Sequence, residues 1–380
     1  MLFRSNFRRV KAVARKEFLH ILRDPRSLYM ALATPLLLLL LFGYALSLDV
    51  NQVPTVIYDL DKTSESRQLV ERFRGSTYFH VVRMAESPAE LNRAIDRNQA
   101  LVGLLISPGF GGQIKAGQLA TVQVVLDGSD ANTANIALGY AQGLVTLYGA
   151  EVRAVAREKL GAPEVKGVDA RIRVIFNSDL KSRNYIVPGL IAVILMMIAA
   201  ILTSLCIARE WENGTMEQLL STPLRPVELL LGKLIAYFSI GMADMVIAIV
   251  TGVFLFEVPL RGSVLLLMGT SAIFCFGALC WGIMISAAAR NQLIAYQLGI
   301  FSSFLPAFLL SGFIYSIDNM PAVIQVITYV VPARYFVTIL KGIFLKGVGW
   351  EILWLEILAM TLYSVVVFGL AMRRMRQKVA

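Results

Sequence analysis

Few residues of this chain have the type and spacing to do chemistry. Asp244 is the one acidic residue deep inside an apolar run. An ionised carboxylate placed in hydrocarbon costs at least a few kcal/mol, so this one must face protein or water. There it either handles a proton or a ligand, or is bonded to a neighbouring helix or protonated in place. Gly232-Lys233 comes nearest to a phosphate-binding loop, yet Leu234 stands where Ser or Thr is needed and the upstream glycine is missing. His20 and His80 combine with no nucleophile and no metal-ligand spacing, and read as surface or packing residues. Cys206, Cys275 and Cys280 all lie in apolar stretches, which suits small side chains packed between helices better than a disulfide framework or a metal site. No catalytic residue, metal ligand or cofactor site is therefore expected within the chain.

The elements that carry these residues follow from composition. Of 380 residues 57% are hydrophobic and only 16% charged, well away from soluble proteins at roughly 45–50% and 25%. Lipid must solvate most of the chain. A membrane span needs about 20 apolar residues to cross about 30 Å of hydrocarbon. Six stretches meet that requirement: Leu28 to Leu48, Tyr185 to Ala208, Leu234 to Phe256, Val264 to Ala289, Leu293 to Tyr315 and Trp350 to Met372. The fold class expected is an α-helical polytopic membrane protein of six transmembrane helices with an inserted extracytoplasmic α/β domain. The first stretch has a basic region and an apolar run too long for a cleaved signal peptide.

The net charge of +10 is concentrated at membrane edges, with Arg8, Arg9, Lys11, Arg15 and Lys16 before the first span and Arg373, Arg374 and Arg376 after the last. An even number of spans and the positive-inside rule put both termini in the cytoplasm, with Arg209, Arg225, Lys233 and Arg290 in cytoplasmic turns. No basic stripe with interleaved aromatics points to nucleic acid. Phe7, Val10, Ala14, Phe18 and Ile21 recur at helical spacing among the first basic residues. They predict an amphipathic helix lying on the leaflet until Asp24-Pro25 breaks it.

The expected divisions are 1–27, the interfacial helix; 28–48, the first span; 49–184, the α/β domain; 185–372, spans two to six; and 373–380, a basic tail. Within the α/β domain, strands at 56–58, 79–82, 101–106 and 122–126 alternate with helices at 64–73, 88–97 and about 132–160, and a last strand is expected at 171–176. Residues 208–233 form a short connection in which Thr215 and Gln218 have capping-box spacing, with Met216, Leu219 and Leu220 on one helix face. Pro223 ends that helix, and Pro226 suits the first turn of the next. Residues 316–349 are interrupted by Pro321, Pro332, Arg334 and Lys341, and read as short helices in the outer leaflet.

Taken in order, ARKEFLHILRDPRSL, YDLDKTSESRQLVERF, ISPGF, LDGSDANTA, FNSDLKSRNYIVPGLIAVIL and REWENGTMEQLLSTPL resemble the permeases of the type-2 exporter family of ATP-binding-cassette transporters, specifically a bacterial drug-efflux-like group. The resemblance implies an inner-membrane permease that dimerises, with itself or a sister permease, and binds two cytoplasmic ATPase subunits that hold ATP and Mg; a periplasmic adaptor is a further candidate partner. It maps the coupling element onto Glu210, Glu212, Gly214, Thr215 and Glu217, and a substrate path between second and fifth spans onto Gly189, Ser204, Ser302, Ser303 and Ser311, with Asp244 a further candidate. The expected function is ATP-driven export of hydrophobic or amphipathic, drug-like compounds. A membrane-anchored scaffold that recruits envelope partners is the alternative from another class. An intramembrane hydrolase would need a nucleophile and base or metal ligands in the spans, and the sequence offers neither.

Overall fold

The structure is a computed structural model that describes residues 2–45, 52–129, 131–159, 181–222, 224–289 and 291–379. The chain forms two compact units, Met1–Ser47 with Arg173–Ala380, and Leu48–Ile172. In the first unit α1 (Leu2–Arg23) stops at Asp24, and Pro25 opens α2 (Pro25–Leu28). A π-helical turn, Tyr29–Ala33, then leads into α3 (Thr34–Ala45). The apolar part of this run, Ala31–Ala45, is shorter than expected. At about 1.5 Å per residue it covers roughly 22 Å. The expected end of the span at Leu48 lies outside the described residues.

The second unit is a small α/β layer: β1 (Val53–Asp59), α4 (Ser64–Arg74), β2 (Phe79–Met84), α5 (Pro88–Asp96), β3 (Val102–Ile106), α6 (Phe110–Lys115), β4 (Val122–Leu126) and α7 (Ala131–Lys159). The sheet order is β2-β1-β3-β4, the first three strands parallel and β4 antiparallel to β3. The central strands are buried on both faces, which is why β1 and β3 read as continuous apolar runs rather than alternating ones. Thr63 and Ser87 cap α4 and α5 through their side-chain oxygens. Two motifs from the sequence meet here. The Asp61 carboxylate after β1 accepts the amides of Gly109 (2.7 Å) and Gly111 (2.8 Å) after β3. Its hydrogen bond from Thr63 and these amides hold its carboxyl below the ordinary value. Asp59 accepts from Ser66 Oγ (2.8 Å) and from the amides of Asp61 and Lys62, closing the same loop. α6 was not expected, and the strand expected at 171–176 lies outside the described residues.

The first unit resumes with α8 (Ser182–Glu212), α9 (Thr215–Leu220), α10 (Pro226–Val250, continued by a π turn, Thr251–Leu255), α11 (Val264–Ala289) and α12 (Gln292–Leu310). After them come α13 (Ala322–Thr328), α14 (Pro332–Lys341, continued by a π turn, Gly342–Lys346) and α15 (Trp350–Val379). Among the described residues α8, α10, α11, α12 and α15 are long and apolar enough to cross a membrane; α13 and α14 make a bent pair, 83° at the break, that would be a sixth if counted as one span. Five or six candidate spans among the described residues compare with the six expected from hydropathy. The broken segment itself was expected, and Lys341 explains its anchoring. Its Nζ donates to the Gly312 carbonyl (3.0 Å) just past α12 and sits over the Tyr185 ring, while the Tyr185 hydroxyl donates to the same carbonyl (3.2 Å). α8 is the hub: 89% of its apolar window is buried within the chain against 22% for α12 and for α15, so those outer helices present the apolar surface.

Candidate functional site

The segment between α8 and α10 is built around one residue in a left-handed conformation. Gly214 has φ +71° and N-caps α9, reversing the chain just after the last turn of α8. A side chain there would be strained, so glycine is required. The expected capping box is corrected: no side chain caps α9, and the Thr215 hydroxyl donates back to the Glu210 carbonyl (3.3 Å). The Met/Leu face of the helix is turned inward. Met216 is 1% exposed and turned into the core, and Leu219 packs partly against it. Glu212, Gly214, Thr215 and Glu217 are the exposed members of the set. Pro223 lies outside the described residues, and Pro226 opens α10 as expected.

Glu210 is placed differently. It is buried, and its Oε1 accepts from Lys233 Nζ (2.8 Å) and Lys16 Nζ (3.2 Å). The same two ammonium groups reach Glu17 Oε1, at 2.9 and 3.1 Å. Lys233 is only 1% exposed and lies inside α10 rather than in the turn expected for it. Two cations and two carboxylates thus join α1, α8 and α10. Burial alone would raise the Glu17 carboxyl, but the Lys233 and Lys16 ammonium groups outweigh it and hold it below its ordinary value. At Lys16, burial lowers the ammonium while Glu17 and Glu210 more than restore it, leaving it above its ordinary value. Both groups are charged at neutral pH.

The packing explains why α1 reaches that far. Val13, Glu17 and Ile21, four residues apart, form its buried stripe. Gly232 makes room for it, since a Cβ there would come within 2.6 Å of the Val13 Cβ. One face of α1 lies against α10, while Phe7, Phe18 and Leu22 remain exposed. Arg9 approaches Glu228 (3.7 Å) and Arg209 approaches Asp24 (3.7 Å), adding two looser ties. The far side of α8 is fixed by Ser286 of α11, whose Oγ accepts the amides of Ile207 and Ala208, each at 2.9 Å. Glu212 Oε2 accepts the amide of Gln292 (3.0 Å) at the start of α12, where the helix dipole favours an acid. The end of α8 is thus bonded to α1, α10, α11 and α12.

The path candidates are spread over α8, α10, α12 and the residue that follows α12. Gly189 is buried beneath the Phe313 ring, and Ser204 donates to the Ile201 carbonyl (2.8 Å) below Gly299. Ser303 donates to the Gly299 carbonyl, and Ser302 accepts from Trp281 Nε1 (3.1 Å). The hydroxyl of Ser311 is buried without a hydrogen-bond partner. Asp244 is 3% exposed and one of its oxygens has no partner. Here small residues allow close approach of helices, as in other membrane bundles. Among the described residues no group of three or more His, Cys, Asp or Glu side chains could hold a metal ion.

Residues 25–373 match the family model described as "ABC-2 family transporter protein". The chain belongs to the ABC-2 family of transporters. It is 38% identical over 375 residues to the Escherichia coli K12 protein named "Probable multidrug ABC transporter permease YbhS", covering 98% of both chains. It is 31% identical over 374 residues to "Probable multidrug ABC transporter permease YbhR" of the same organism, covering 98% of this chain and 100% of that one. More distantly, 204 residues are 21% identical to "ABC transporter G family member 20" of Dictyostelium discoideum, 28% of that protein. The apolar helices and these relatives together make the chain a multi-pass ABC permease, and the family implies an ABC ATPase partner and dimerisation in general.

Proposed function

We propose that this chain is the membrane-spanning subunit of an ATP-driven exporter, moving hydrophobic or amphipathic compounds out of the inner membrane or cytoplasm while a separate subunit binds ATP and Mg. The observation that carries the reading is the α8–α9 turn. It exposes Glu212 and Glu217 and is joined through Glu210 at the end of α8 to Lys233 of α10 and, beyond it, Glu17 of α1. The sequence offers no phosphate loop, so force must come from outside, and a stiff acidic turn can receive it. In this reading an ATPase groove engages Glu212 and Glu217 while Gly214 sets the angle of α9. Glu210 does not face that groove; it passes the displacement of α8 to α1 and α10.

The orientation belongs to the same proposal: both termini and the α8–α9 turn in the cytoplasm, the α/β unit outside, and the substrate path at the interface with a second permease copy or a sister permease. Basic residues of α1 and the tail support it through the positive-inside rule. A periplasmic adaptor would meet the α/β unit. The test is the double charge reversal Glu212→Lys with Glu217→Lys. Both side chains are exposed, so insertion is expected to survive while co-purification with the ATPase and substrate-stimulated ATP hydrolysis fall. Unchanged values of both would remove this turn as the contact.

A further inference from the structure

A cavity of about 500 Å³ opens among α1, α8, α9 and α10, within the range of roughly 300–1,000 Å³ that buries most of a small amphiphile. Its inner wall is apolar, made by Ile201, Leu202, Leu205 and Cys206 along one face of α8 and by Tyr237 and Ile240 of α10. Its rim is polar and carries His20, Arg209, Asn213, Gln218 and Thr222. Between the two lies the ion cluster as a side wall. Glu17 and Glu210 might be thought to repel an anion, but Lys16 and Lys233 match them one for one at 2.8 to 3.2 Å. Arg209 is what remains of the lining charge. Asp24, 3.7 Å from it, forms a loose ion pair with it and does not itself line the cavity.

The surroundings of the rim identify the medium. α1 exposes Phe18 and Leu22 beside Arg15 and Lys16, the pattern of a helix lying in the headgroup and acyl boundary. A ligand that enters here comes from a leaflet, with its hydrocarbon against α8 and its head among basic and amide donors. We propose that the cavity holds one acyl chain of an anionic phospholipid from the leaflet in which α1 lies, its phosphate at the rim by Arg209 and His20. Free phosphate would leave the apolar wall unfilled, and a zwitterionic lipid would gain less from Arg209. The lipid then fills the space beside the cluster that joins α1, α8 and α10.

The test uses the full chain in nanodiscs of equimolar phosphatidylglycerol and phosphatidylcholine, released into native mass spectrometry. Retention of phosphatidylglycerol over phosphatidylcholine is expected at about fivefold, the effect of one basic residue near an anionic surface. Arg209→Gln should remove the preference and leave lipid bound. Leu202→Trp, which fills the apolar wall, should remove the bound lipid; Leu205→Phe repeats this with a smaller change should tryptophan disturb folding. Added glycerophosphate should displace nothing. Equal retention of both lipids by the unaltered chain, unchanged retention in the filled variants, or displacement by glycerophosphate would each overturn the proposal. None of these readouts depends on transport or on the ATPase.

Discussion

Replacing Lys233 by methionine tests the cluster that joins α1 to the bundle. Lys233 is 1% exposed and bonds Glu17 at 2.9 Å and Glu210 at 2.8 Å. Removing one partner of a buried ion pair costs about 3–5 kcal/mol, because the remaining charges stay buried. Lys16 still reaches both carboxylates, at 3.1 and 3.2 Å, so the lower end of that range applies. At about 1.4 kcal/mol per factor of ten, roughly 3 kcal/mol shifts the opening of α1 by about a hundredfold. The assay is maleimide labelling of a cysteine placed at Val13, which is buried against Gly232. Lys233→Met should raise the labelling rate by roughly that factor. Adding Glu17→Gln and Glu210→Gln, which removes the orphaned charges, should bring it most of the way back, since apolar or neutral replacement of a whole buried cluster is close to neutral. A change of less than about threefold, or a triple variant as labile as the single one, would refute the reasoning, because breaking a buried pair cannot be that cheap.

Three further outcomes follow from the same geometry. Gly214→Ala, at φ +71°, should cost about 1 kcal/mol of local strain and lower substrate-stimulated ATP hydrolysis with little effect on insertion, read by ATPase assay beside membrane yield. Asp244→Asn, which keeps shape and burial, should leave the protein inserted and folded while export is lost; near-normal export would return the residue to packing. The Glu17 carboxyl is held below its ordinary value of 4.5, so its contribution is fully present above that pH and is lost as pH falls through the lower folded value. Labelling at position 13, taken relative to that of a fully exposed cysteine at the same pH, should therefore stay slow at neutral pH and rise only below about pH 4.5.

The apolar runs were legible because each is long and nearly uncharged, and α8, α10, α11, α12 and α15 fall where hydropathy puts them. Short elements were less so. Thr215 and Gln218 have the spacing of a capping box, but a glycine in the left-handed region does the same work without a side chain, and only backbone geometry distinguishes the two. Ala31–Ala45 reads as part of a full span because the flanking residues are apolar too, although the helix begins with a π turn. The ion cluster was not legible. Glu17 looks like one more solvated charge on a basic amphipathic helix, and Lys233 like a residue at the edge of a span; only a contact across 216 positions makes them partners. Gly232-Lys233, which lacks the pattern of a phosphate loop, lets α1 close on α10 and pins it there. The path candidates were chosen for small size, a property that helix packing and substrate contact demand alike.

The central claim is that this permease does work only through a separate ATPase that grips the α8–α9 turn. The most direct measurement reconstitutes the chain with its ATPase subunit in proteoliposomes and follows ATP-dependent movement of a fluorescent amphipathic cation. The account predicts transport that requires both subunits and hydrolysable ATP, and that is lost with Glu212→Lys and Glu217→Lys although the chain remains inserted. Transport by the chain alone, or full transport by the charge-reversed chain, would contradict it.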